Sequence, residues 1–71
     1  SSSMSEKLEE LRKSKVDTAE CVAALTVRIE EAQKSRVPIP DVAKALDAEL
    51  KELRQKAAKI NTDIEKLEAE C

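Results

Sequence analysis

Ser35-Arg36-Val37-Pro38-Ile39-Pro40-Asp41 stands at the middle of a 71-residue chain and decides how that chain folds. Pro38 has no amide hydrogen and drives Val37 out of the α region, and Pro40 does the same to Ile39. A helix arriving from the N-terminal side must therefore stop. Pro40 suits the first turn of a new helix, and Asp41 falls beside the positive end of its dipole. The spacing predicts one helix over 5–36, a turn at 37–39 and a second helix over 40–71.

Working outward from the turn, a single hydrophobic heptad register runs through both arms. With Leu8 at position a, the a series is Leu8, Lys15, Val22, Ile29, Arg36, Ala43, Leu50, Ala57, Ile64 and Cys71. The d series is Met4, Leu11, Thr18, Leu25, Ala32, Ile39, Leu46, Leu53, Ile60 and Leu67. Lys15, Thr18 and Arg36 interrupt an otherwise apolar seam. A seam sustained over so many heptads specifies helices that pack along their length. Folding the chain back at the prolines sets a against d in every layer: Leu8 on Leu67, Leu11 on Ile64, Val22 on Leu53, Leu25 on Leu50, Ile29 on Leu46 and Ala32 on Ala43. Two layers, Lys15 on Ile60 and Thr18 on Ala57, are expected to be weak. The fold class that follows is all-α, an antiparallel two-helix coiled-coil hairpin with arms about 48 Å long. One bent helix pairing with other chains is the alternative arrangement.

Composition points the same way. The chain has no Gly, no His and no aromatic residue, and 39% of it is charged. That is the make-up of long helices. Opposite charges lace the outer faces, with Glu9–Lys13, Glu30–Lys34, Asp47–Lys51 and Glu52–Lys56 each placing the acid four residues before the base. Each such pair is expected to stabilise its helix by ~0.3 kcal/mol. The 13 basic and 15 acidic residues are interspersed, for a net charge of −2. Nucleic acid calls for a clustered basic face, so it is not an expected partner. No apolar run is long enough to span a membrane. Ser1-Ser2-Ser3 reads as an expression scar outside the fold, ahead of a single hairpin over 4–71. With Met4 taken as the natural start, the lack of a secretory signal places the protein inside the cell, in the cytoplasm.

The residue types needed for chemistry are missing. Without His the commonest general base and metal ligand is gone. Without Gly there is no phosphate-cradling loop. The carboxylate pairs Glu9/Glu10 and Glu30/Glu31 sit at adjacent helix positions and point apart into solvent, the reverse of a desolvated catalytic pair. No enzyme, no cofactor and no metal site is expected. Cys21, at a g position, is expected to pack on the flank of the seam near Leu53 and Arg54. Cys71 is expected as an exposed terminal thiol at the end of the bundle opposite the turn. The two lie beyond disulfide reach of each other.

One feature exceeds what the hairpin needs. Val16, Ala19, Ala23 and Val27 follow one another at helical spacings of three, four and four, on a stripe displaced from the seam. The second helix carries no equivalent in its middle. A chain of this size builds a marginal core alone, so the stripe is the expected contact for a partner helix or for a second copy in a homodimer. The function read from the residues is a non-enzymatic coiled-coil interaction or scaffold module.

A resemblance supplies a second reading. Gln33-Lys34-Ser35-Arg36-Val37-Pro38-Ile39-Pro40-Asp41, continuing to Leu46-Asp47-Ala48 and Leu53, resembles the junction between the second and third helices of the tubulin-binding cofactor A family. Glu6-Lys7-Leu8-Glu9-Glu10-Leu11-Arg12 is similar to the end of that family's first helix. The family is a three-helix coiled-coil bundle that holds β-tubulin during folding. The resemblance covers about half the chain and implies a tubulin-folding chaperone connected with the cytoskeleton. It also implies a connection near Lys15-Val16-Asp17, where this chain's own heptads continue without a Gly or Pro.

Overall fold

The computed structural model describes residues 3–35 and 40–70. They form two helices, α1 (Met4–Gln33) and α2 (Pro40–Glu70), packed against each other as a helical hairpin. The expected turn at 37–39, Arg36 and Cys71 lie outside the described residues. The molecule is 52 Å long and 19 by 14 Å across.

The start of α1 corrects one expectation. Ser3 belongs to the fold: it is the N-cap, extended at φ −69° and ψ 165°, and its hydroxyl accepts from the Glu6 amide at 3.2 Å. The amide of Lys7 donates to the Ser3 carbonyl at 3.0 Å. A serine three residues before a glutamate is the pattern by which a helix start satisfies its orphan amides. Helix α1 accordingly begins at Met4, one residue earlier than expected, and runs unbroken through Lys15–Asp17.

It also ends three residues before the expected Arg36. The Lys34 amide is shared between the carbonyls of Glu30 and Glu31, both at 3.2 Å, and the Ser35 amide turns to Ala32. The ladder thus tightens to i−3 bonding in its last turn. Pro38, with no amide hydrogen, could not have continued it beyond Lys34. Helix α2 starts at Pro40 with Asp41 in its first turn, as expected.

The core follows the heptads. Leu25, Leu46, Ile60 and Ile64 are its buried apolar residues. Leu8, Leu11, Val22, Ile29, Ala32, Leu50, Leu53, Ala57 and Leu67 are half-buried along the same seam. Met4 and Ala43, toward the two ends of the seam, and Lys15, within it, are exposed. The layers expected to be weak hold two of its most enclosed side chains: Thr18 is only 3% exposed and Ile60 only 7%. A seam residue fits a hole made by four residues of the facing helix, so one polar neighbour does not uncover it. Thr18 also has the shape of Val, and its methyl group can fill the space that a hydrocarbon would.

The polar surface differs in detail from expectation. Among the described residues the closed ion pairs are Arg12–Glu68 between the helices, at 3.3 Å, and Lys59–Asp63 within α2, at 3.1 Å. None of the four acid-before-base pairs is closed. Such pairs at exposed positions gain little over solvation, and holding two long side chains together costs entropy. The hydroxyls of Thr26 and Thr62 donate back to the carbonyls of Val22 and Ala58 in their own helices.

Candidate interaction surface

Each residue along α1 turns the side chain by about 100°, so steps of three and four keep Val16, Ala19, Ala23 and Val27 within an arc of about 80°. That arc is centred about 130° around α1 from the seam occupied by Thr18, Val22, Leu25 and Ile29. All four residues are exposed, and Val16 and Val27 keep 55% and 52% of their surface in solvent. The structure thus brings the expected stripe together as one face of α1, turned away from α2. Its length from Val16 to Val27 is roughly 16 Å. Such a face cannot be covered by the chain's own second helix.

Beyond the two ends of the stripe the same face is charged. Glu9 and Lys13 precede it and Glu30 and Lys34 follow it, all exposed. Arg12 lies nearby and reaches across to Glu68. Helix α2 adds no comparable stripe. Its exposed large apolar residue is Val42, near the turn end of the hairpin.

Sequence reasoning misplaced Cys21. Its thiol is free and exposed and does not pack on the flank of the seam. Val22 and Leu25 already fill the seam at that level, and the g position falls outside it. Sequence reasoning also missed the link between Arg12 and Glu68. Both occupy position e, and in an antiparallel pair the e positions of the two arms lie on the same flank. That alignment was available from the register alone.

Two shallow grooves lie among the described residues. One follows α2 past Leu50, Arg54 and Ala58. The other lies between the arms at the end remote from the turn, beside Ser14 and Asp63. Both are open to solvent along their length. Among the described residues no three His, Cys, Asp or Glu side chains are grouped to hold a metal ion. Among those residues, too, no helix is long and apolar enough to cross a membrane. No known protein family, curated protein or solved structure matches the chain.

Proposed function

We infer that the chain is a non-enzymatic interaction module that works by covering the α1 stripe with a further helix, supplied by a second copy or by a protein partner. The observation that carries this reading is the exposure of Val16, Ala19, Ala23 and Val27 together on one helix face, opposite a core whose buried apolar members among the described residues are Leu25, Leu46, Ile60 and Ile64. A hairpin buries one side of each arm, and a second apolar face offers the further burial that a small core lacks.

Charging the face tests the reading. Ala23→Glu with Val27→Lys should leave helicity unchanged, because both positions are exposed, and should abolish association, because charges would be desolvated in an apolar contact. Sedimentation and partner capture, each with wild type and variant, give the answer. Identical behaviour of the two proteins in both assays would defeat the proposal.

The tubulin-folding chaperone reading rests on the resemblance of residues 33–41 and their surroundings. It predicts one-to-one binding of β-tubulin. Tubulin recovered from cell extract by the wild type but not by the stripe variant would favour it over a purely coiled-coil partner.

A further inference from the structure

The charges beyond the stripe specify which helix covers it and in which direction. In order along α1 they are Glu9, Lys13, the stripe, Glu30 and Lys34. Let a second α1 lie antiparallel on the first, with its Val27 over Val16. Glu9 then meets Lys34 of the other copy, and Lys13 meets Glu30. A twofold axis repeats both contacts, so all four charged positions meet the opposite sign. A parallel, in-register pairing would set Glu9, Lys13, Glu30 and Lys34 each against itself. These side chains are available: none is closed in an ion pair within the hairpin. At the centre, Ala19 and Ala23 allow the helix axes to approach at the short end of the packing range, about 8 Å. Glu20 borders the stripe there and falls opposite Ala23 of the other copy rather than opposite its own counterpart.

Resting on the self-association reading, we propose that two copies of this chain form a twofold antiparallel dimer through α1, with Val16 of each on Val27 of the other. The arrangement is a row, α2–α1–α1–α2. A closed four-helix bundle needs its second contact about a quarter-turn from the first, whereas the stripe lies about 130° from the seam.

Single cysteines test direction and register. Val16→Cys and Val27→Cys are made separately in full-length chains carrying Cys21→Ser and Cys71→Ser. Both sites are exposed, so the hairpin should tolerate them. The dimer predicts a disulfide between chains when the two variants are mixed, and little with either alone, where like positions are roughly 16 Å apart along the axis, beyond disulfide reach. Crosslinking of each variant with itself would show a parallel pair and overturn the proposal. A dimer by sedimentation that crosslinks in neither way would overturn it while leaving self-association standing. A monomer up to about 1 mM chain would overturn both. Charge reversal gives an independent readout. Lys13→Glu should weaken the dimer roughly tenfold, since the symmetry breaks two pairs at once, and adding Glu30→Lys to the same chain should restore it. Failure of the second change to restore association would also sink the register.

Discussion

The guanidinium of Arg12 meets the carboxylate of Glu68 at 3.3 Å across 56 residues of sequence. This contact ties the first third of α1 to the end of α2. It reports an antiparallel arrangement of the arms, with residues 7–14 beside residues 63–70.

The heptads pair Leu25 with Leu50 in one layer. In a chain with Cys21→Ser and Cys71→Ser, cysteines at positions 25 and 50 should form a disulfide within the chain at high dilution. Gel mobility under non-reducing conditions reads the result. Crosslinks only between chains would mean that the arms pair with other molecules and not with each other.

Arg12 and Glu68 report the register but contribute little to holding it. Their side chains are 59% and 50% exposed. Arg12→Ala or Glu68→Ala should cost well under about 1 kcal/mol, whereas Leu25→Ala, at a position 3% exposed, should cost about 2–5 kcal/mol. Denaturant midpoints of the three variants should separate into these two groups.

Thr18 gives a finer test of the core. If its methyl group is packed in the seam, Thr18→Ser should cost about 1 kcal/mol, near the value of one buried methylene. Thr62→Ser, at an exposed position, should change stability by less than about 0.5 kcal/mol. Equal shifts in melting temperature would remove Thr18 from the core.

Ser3 should behave as a structural residue. Ser3→Ala removes the acceptor of the Glu6 amide and should cost about 1 kcal/mol, while Ser3→Asp should restore most of it. Ser5→Ala, two residues further on at an exposed position, serves as the neutral control. Thermal unfolding by circular dichroism is sufficient to rank them.

The helices and their seam were legible because both rest on local rules. The period of the apolar residues is a property of the sequence, and so is the inability of Pro38 and Pro40 to donate. The end of α1 was placed too late: the prolines bar a helix from passing through them but leave open where it stops before them, and the ladder already tightens at Lys34 and Ser35. The depth of Thr18 and Ile60 was not legible, because burial in a seam depends on four facing residues rather than on one opposite partner. The ion pairs were misjudged for a related reason. Helical spacing brings Glu9 and Lys13 within reach, but solvation decides whether they close. The face of α1 could be read from spacing alone, and its exposure follows from the place of α2.

The pairing of residues 7–14 with 63–70 also governs how the molecule would respond to force. Its two ends lie at the same pole, so pulling them apart would load the layers in sequence and not together. The hairpin would open as a zipper, beginning near Leu8 and Leu67, with resistance set at each moment by a single layer. A helical pair pulled from opposite poles would instead have to shear every layer at once.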